Sequence, residues 1–149
     1  MAYRRVIVGT DGSETAAGAV RSAAQLAAAV GAAVTVVTAY EEHERANATA
    51  RAEAPDEVRW AISDATGASE RANAARRLAV EAGVRDVDVF VEPGDPASVV
   101  ISAAEARGGD LIVVGSKGMT SAKRFLLGSV PNKISHHAPC DVMIVHTAP

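Results

Sequence analysis

The sequence predicts a doubly wound, Rossmann-like α/β fold, in which a five-stranded parallel sheet of order 3-2-1-4-5 carries helices on both faces. Short apolar, β-branched runs recur along the chain, and their lack of alternation is typical of strands buried on both faces. Longer segments with helical periodicity separate these runs, and glycine or proline stands at the junctions. Strands that alternate with helices favour parallel pairing with helical crossovers.

The first strand and the first helix are the clearest elements. Residues 6–8 are Val-Ile-Val and end at Gly9, which indicates a short buried strand. Small apolar residues then recur at helical spacing over residues 13–30, and Gly31 is a typical helix stop. Residues 33–39 form the second predicted strand.

A polar segment separates this strand from the second helix. Residues 40–56 are rich in Glu, Arg and Ala, and we interpret them as a connection. A long helix is predicted from near residue 57 to residue 81, with Gly83 as its stop.

The second half of the chain repeats the alternation of strand and helix. Pro96 suits the first turn of a helix, and Ser129 is predicted as the N-cap of a short one. The predicted strands are residues 87–91, 111–114 and 142–145, and the predicted helices are residues 96–107 and 129 to about 136.

Length, charge and cysteine content narrow the class of protein. A chain of 149 residues can bury one core, so we expect a single domain over residues 1–149. A formal net charge of -3 and 3% aromatic residues argue against nucleic-acid binding. No apolar run is long enough to span a membrane and no signal peptide is apparent. Because Cys140 is the single cysteine, we expect a reducing, cytoplasmic location.

The candidate functional motif follows the fourth predicted strand. Gly115-Ser116-Lys117-Gly118 is followed by nine residues and then by Gly128-Ser129. Glycines allow a close approach of backbone N–H groups to a ligand, and a helix that begins at Ser129 adds free donors and a partial positive charge. The motif therefore predicts a phosphate-binding site.

A second turn is expected to face this motif. In the strand order 3-2-1-4-5, strands one and four are neighbours where the order reverses, and ligands of open parallel sheets bind there, beyond the carboxyl ends. The first strand ends in Gly9-Thr10-Asp11-Gly12-Ser13. The two turns are thus predicted to line one crevice.

With these motifs the chain resembles the nucleotide-binding branch of the universal stress protein family. The resemblance covers essentially the whole chain and is carried by Gly-x2-Gly-x9-Gly-Ser after the penultimate strand and by Thr-Asp after the first. It implies an α/β fold that binds ATP or a related adenine nucleotide, and usually a homodimer. Members of the family act mostly as stress-linked binding or regulatory proteins.

The resemblance implies a ligand site built from three parts of the chain. The phosphate-binding part comprises Gly115, Lys117, Gly118, Gly128, Ser129 and Val130. The turn after the first strand contributes Gly9 and Thr10 as the floor, and Asp11 near the ribose and phosphates, where it could hold nucleotide-bound Mg²⁺. Ala39, at the end of the second strand, matches a position whose backbone meets the adenine edge.

Structural alternatives to these roles stay open. Asp11 could simply cap the first helix, with Glu14 completing a capping box, and Gly128-Ser129 could be an ordinary junction between loop and helix. Lys117, Lys123 and Arg124 could form a solvated loop face.

The expected function is binding of ATP or cyclic AMP, with regulation by occupancy. The alternatives are a slow ATPase or phosphotransfer enzyme in the same pocket, and a dimeric interaction protein without ligand. Phosphoryl transfer needs positioned groups and metal, for which only Asp11 and Lys117 are candidates, and no GxxxxGK[ST] motif is present. The intact glycines argue against a protein that has lost its ligand.

Two further expectations concern the end of the chain. Pro131 stands where many members of the family carry a second hydroxyl residue, and its missing N–H predicts a weaker hold on a triphosphate, which favours a smaller phosphate such as that of cyclic AMP. The last strand should lie at the sheet edge, with Val142 and Ile144 meeting a second copy in a two-fold homodimer.

Overall fold

The computed structural model describes residues 2–41, 65–116 and 127–146. Within these ranges, strands and helices alternate along the chain. The strands are β1 (Arg5–Gly9), β2 (Ala33–Tyr40), β3 (Val87–Pro93), β4 (Leu111–Gly115) and β5 (Asp141–Val145). The helices are α1 (Glu14–Val30), α2 (Ala65–Glu81), α3 (Pro96–Arg107) and α4 (Ser129–His137).

The strands form one parallel sheet in the order β3-β2-β1-β4-β5, as predicted. The central strand β1 pairs with β2 on one side and with β4 on the other, and Val8 lies opposite both Val36 and Val113. The order reverses between β1 and β4, because the chain first adds strands on one side of β1 and then on the other. The carboxyl ends of β1 and β4 are therefore adjacent.

Each face of the sheet packs against its own pair of helices. Val6 and Val8 belong to a buried cluster that includes residues of α1 and α2. Ile7 points to the opposite face, in a cluster with residues of α3 and α4. All three side chains are fully buried, because helices cover β1 on both faces of the sheet. This explains why residues 6–8 are all apolar and do not alternate with polar residues.

Most boundaries agree with the sequence, and the differences are small. The strand predicted over residues 87–91 extends to Pro93, because its last residues still pair with β2. The helix predicted from near residue 57 is described from Ala65 onwards, and residues 57–64 lie outside the described ranges, as does most of the predicted connection.

A polar network joins three strands at the amino edge of the sheet. Asp88 of β3 accepts hydrogen bonds from the fully buried Thr35 of β2 at 2.6 Å and from Arg5 of β1 at 3.1 Å. Arg107, at the end of α3, donates to the other oxygen of Asp88 at 2.9 Å and lies over the ring of Phe90 at 5.1 Å. The network holds the end of α3 against β3.

The edge strand β5 is fixed at both ends. The Tyr3 hydroxyl donates to the Asp141 carboxylate at 2.8 Å, and this bond is the main cause that raises the pKa of Tyr3. At the other end, the Ser116 N–H donates to the Val145 carbonyl at 2.7 Å.

Burial raises the pKa of the Cys140 thiol, so it is a poor nucleophile at neutral pH.

No helix in the described ranges is long and apolar enough to cross a membrane.

Candidate nucleotide-binding site

The turn after β1 is held by its own polar side chains. The Thr10 N–H donates to the Val37 carbonyl at 2.9 Å, and the Thr10 hydroxyl accepts from the Gly12 N–H at 3.1 Å. The Asp11 carboxylate accepts from the Ser13 N–H at 2.9 Å. The turn at the candidate site is thus formed by local hydrogen bonds, and one oxygen of Asp11 takes part in them.

The N-cap of α1 is Ser13, so the alternative that Asp11 caps this helix is wrong. Ser13 has extended backbone angles, and its hydroxyl accepts from the Ala16 N–H at 3.1 Å. Serine and aspartate are almost equally good caps, and Ser13 stands directly before the first helical residue. Asp11 therefore lies before the cap and is exposed.

Arg71 of α2 packs on this turn, which the sequence did not indicate. Gly12 has a φ of +83°, and a Cβ built there would lie 2.7 Å from Cδ of Arg71. Thr10, Gly12, Ser13 and Arg71 line a cleft of about 520 Å³ between α1 and α2. The other described residues along it are Ala17, Gly67, Glu70, Ala74, Ala75 and Leu78. Among these lining residues, Arg71 is the only cation.

The two ends of the glycine motif meet at the carboxyl end of β4. Gly115 is the last residue of this strand, and the Gly128 N–H donates to the Ser116 carbonyl at 3.0 Å. The first turn of α4 is therefore held beside the end of β4, although eleven residues separate Ser116 from Gly128 along the chain. Lys117, Gly118, Lys123 and Arg124 lie outside the described ranges.

The N-cap of α4 is Gly128 and not Ser129, which corrects the sequence prediction by one residue. Gly128 has extended backbone angles and its carbonyl accepts from the Asn132 N–H at 3.0 Å, so Ser129 is the first helical residue. The exposed Ser129 hydroxyl is thus not needed as a cap. Pro131 becomes the third helical residue and is buried.

This shift defines which backbone donors α4 presents. The N–H groups of the N-cap and of the first three helical residues have no acceptor within the helix. In α4 the Gly128 N–H donates to the Ser116 carbonyl. The first three helical residues are Ser129, Val130 and Pro131, of which proline has no N–H. Two backbone donors, those of Ser129 and Val130, therefore point out of the helix end.

The end of β2 lies at the same edge. Ala39 is half-buried and pairs with Glu92 of β3. The Tyr40 carbonyl accepts from the Gly94 N–H at 2.9 Å, so the turn after β3 is attached to the end of β2.

An ion pair joins α4 to the beginning of α3. Asp95 is the N-cap of α3, and its carboxylate accepts from the N–H and the hydroxyl of Ser98, both at 3.0 Å. Lys133 of α4 donates to the same carboxylate oxygen at 2.9 Å and to the Ser98 hydroxyl at 3.0 Å. The hydrogen bond from Lys133 and that from the Ser98 N–H lower the pKa of Asp95.

The structure brings the described candidate residues together at one edge of the sheet. They come from the ends of three strands and from the first turn of one helix: Gly9, Thr10, Asp11, Ala39, Gly115, Gly128, Ser129 and Val130. These positions surround the point where the strand order reverses, which is where open parallel sheets bind ligands.

This arrangement defines a doubly wound α/β protein with its candidate ligand site at the switch point between β1 and β4. Comparison with known proteins identifies the particular family. The model of the universal stress protein family matches residues 2–146, and the chain belongs to this stress-related family.

Relatives support this assignment over nearly the full length of the chain. Universal stress protein Rv1636 of Mycobacterium tuberculosis is 36% identical over 147 residues, which are 98% of each chain. The crystal structure of a universal stress protein in complex with cAMP is 32% identical and has a TM-score of 0.73, with 99% of this chain and 100% of that chain covered. The UspA structure from Lactobacillus plantarum has a TM-score of 0.79 at 23% identity, with 97% and 99% covered, and shows the common fold.

Proposed function

We propose that the protein binds an adenine nucleotide at the carboxyl edge of its sheet and acts as a stress-associated regulator through occupancy of this site. The observation that carries the proposal is the hydrogen bond from the Gly128 N–H to the Ser116 carbonyl. It holds the donors of α4 next to the end of β4 and therefore next to the turn after β1. A ligand with a phosphate and a ribose would contact both.

The phosphate end of the ligand is assigned to the glycine motif. Gly115 and Gly128 provide close backbone approach, and the N–H groups of Ser129 and Val130 provide donors. The Ser129 hydroxyl supports this role because Gly128, and not Ser129, is the cap. Lys117 and Gly118 are proposed to complete this end.

The remainder of the ligand is assigned to the ends of β1 and β2. Gly9 and Thr10 would form the floor and the backbone of Ala39 would meet the edge of the base. Asp11 is proposed to lie near the ribose and phosphates. Within the described ranges, no group of three or more His, Cys, Asp or Glu side chains could hold a metal ion. Mg²⁺ at Asp11 would therefore be held mainly by the nucleotide.

ATP and cyclic AMP are the two candidate nucleotides. A relative with 32% identity whose structure is described as a complex with cAMP supports the cyclic nucleotide. Pro131 supports the same choice, because α4 presents one backbone donor fewer than an ordinary helix end.

The decisive experiment is mass spectrometry of the ligand released from freshly purified protein, followed by calorimetric titration with ATP, AMP, cAMP and adenosine. We expect an adenine nucleotide in the purified protein or micromolar binding of at least one of them. Absence of both would contradict nucleotide binding. Turnover of ATP faster than about one per minute with Mg²⁺, against typical enzyme rates of about 1–10³ per second, would contradict regulation by occupancy alone.

We also propose that the protein is a cytoplasmic homodimer. Ile144 of β5 is 39% exposed although it is a large apolar residue on an edge strand, and Val142 on the same strand is half-buried. Pairing of β5 with its mate would cover both residues and the free edge of the strand. The single free cysteine, Cys140, is compatible with a reducing compartment.

A further inference from the structure

The ion pair between Lys133 and Asp95 lies next to the proposed phosphate end of the ligand. Lys133 follows Ser129 by four residues, which is a distance of about 6 Å along the helix axis. Asp95 follows directly after β3 and the Gly94 turn, at the carboxyl edge of the sheet. Lys133 is therefore about one helical turn from the proposed phosphate donors, and Asp95 contacts Lys133 directly.

The geometry of the pair means that the two charges cancel. Nζ of Lys133 lies 2.9 Å from Oδ2 of Asp95, and Ser98 donates two further hydrogen bonds to this oxygen. These bonds lower the pKa of Asp95, so the carboxylate stays ionised at neutral pH. The charge of Lys133 is thus balanced by a neighbour rather than left for an anion.

On the basis of the nucleotide site proposed above, we propose that Asp95 and Lys133 are specificity-determining residues. Their charges determine whether the site prefers a ligand with one negative charge or with several. Lys133 is the only Lys or Arg in α4. Because Asp95 balances the charge of Lys133, α4 presents to the ligand the neutral N–H groups of Ser129 and Val130. Asp95 therefore offsets the attraction that Lys133 would give to a polyanion such as ATP, and this offset matters less for cAMP, which carries one negative charge.

The dependence of affinity on the charge of the ligand distinguishes this role from one in which the pair only holds α4 in place. An unbalanced charge near the phosphates acts in proportion to the charge of the ligand, so its effect is largest for ATP, small for cAMP and absent for adenosine. A change that only displaced α4 would weaken the binding of both phosphate-bearing ligands, whatever the sign of the charge removed.

Asp95→Asn tests the sign of the effect. Asparagine is an equally good N-cap and keeps an acceptor for Lys133, so α3 and the contact to α4 are preserved while one negative charge is lost. In titrations at about 0.1 M salt without added Mg²⁺, we expect ATP to bind about fivefold more tightly. The affinity for cAMP should change less than about twofold and that for adenosine should stay the same.

Lys133→Met tests the opposite sign. It removes the cation, keeps an apolar stem of similar length and leaves Asp95 unbalanced. ATP should bind about fivefold more weakly, again with little change for adenosine. The matched control is Glu105→Gln, which removes one negative charge from the exposed far half of α3, about 15 Å along the axis from Asp95 and beyond the Debye length of about 10 Å at 0.1 M salt. It should leave all three affinities unchanged.

The outcomes separate this inference from the proposed function. Weakening of both ATP and cAMP by both variants would show that the pair only holds α4, and it would overturn the inference. Unchanged affinity for ATP in both variants would overturn it as well, while nucleotide binding itself would stand. Wild-type protein that binds neither ATP nor cAMP would overturn both proposals.

Discussion

Gly12 shows how one residue can determine how closely α2 packs on the turn after β1. Its φ of +83° lies in the left-handed region, which favours glycine, and the stem of Arg71 occupies the place that a side chain would need. The turn after β1 and the helix α2 therefore meet at a position without a Cβ. Any larger residue would strain the turn and displace Arg71.

Gly12→Ala is expected to lower the free energy of unfolding by about 1–3 kcal/mol, because alanine is strained at this φ and its Cβ would clash with Cδ of Arg71. Urea unfolding followed by circular dichroism measures the change. Gly18→Ala is the matched control, since nothing lies within 4 Å of the added Cβ and the residue is inside α1. This control should raise the stability by up to about 1 kcal/mol. Equal effects of both substitutions would contradict the argument.

At the level of residues, the sequence predicted the polar turn after β1 but not which of its side chains caps α1. Asp11 and Ser13 are both good helix caps two positions apart, and local preference does not decide between them. The contact of Arg71 with Gly12 joins residues that are 59 positions apart, so no local pattern could reveal it. The same holds for the pair of Asp95 and Lys133, which are 38 positions apart.

Among the elements, α4 was predicted correctly as a helix, but its N-cap was predicted one residue too late. Gly128 and Ser129 are both acceptable at an N-cap, and helix ends are uncertain by one or two residues on sequence evidence alone. The extended backbone of Gly128 and the hydrogen bond from the Asn132 N–H to its carbonyl define the cap, and the hydrogen bond from the Gly128 N–H to Ser116 ties it to the end of β4 and thus to the tertiary fold. Pro131 still lies within the first turn, so the loss of one donor does not depend on the correction.

Pro131→Thr is expected to raise the affinity for ATP about tenfold relative to cAMP, because it restores an N–H at the third position of α4. Calorimetric titration with both nucleotides measures the ratio. Pro139→Thr is the control, because Pro139 is exposed in the turn between α4 and β5 and outside the proposed site. An unchanged ratio in the Pro131 variant would rule out a role for this residue in ligand choice.

The element β5 has an exposed apolar residue where the proposed dimer would form. Ile144→Asp should release monomers, because a buried carboxylate in a strand-to-strand interface has no partner. Light scattering during gel filtration measures the mass. Val80→Asp, at a residue of α2 that is 49% exposed, should keep the mass of the wild type. A dimer that survives the change at Ile144 would place the interface elsewhere.

At the scale of the whole molecule, the sheet order follows from the sequence because each strand is a short β-branched run and each crossover contains a helix. This pattern restricts the possible topologies to a few, and the glycine-bearing turns favour the order that brings them together. The polar network at the amino edge was not predicted. It joins Arg5, Thr35, Asp88 and Arg107, which lie far apart along the chain.

Asp88→Ala should lower the free energy of unfolding by about 1–3 kcal/mol, because the buried Thr35 hydroxyl and Arg107 lose the Asp88 carboxylate as acceptor and Arg5 loses one of its acceptors. Chemical denaturation measures the loss. Asp86→Ala is the control, since its carboxylate is 70% exposed and lies 3.6 Å from Arg5, and such pairs contribute between zero and about 1 kcal/mol. A smaller loss at Asp88 than at Asp86 would contradict the structural role.

The central position of β1 has a consequence for the synthesis of the protein. Its second neighbour, β4, begins at Leu111, and Val6 lies opposite this residue. During synthesis, β1 therefore keeps one open side until residue 111 and the rest of β4 have been made. Pairing over such a distance closes slowly because the loop entropy must be overcome first. Nascent chains that stall before β4 should expose this open side of β1, and we expect them to be the species that chaperones protect.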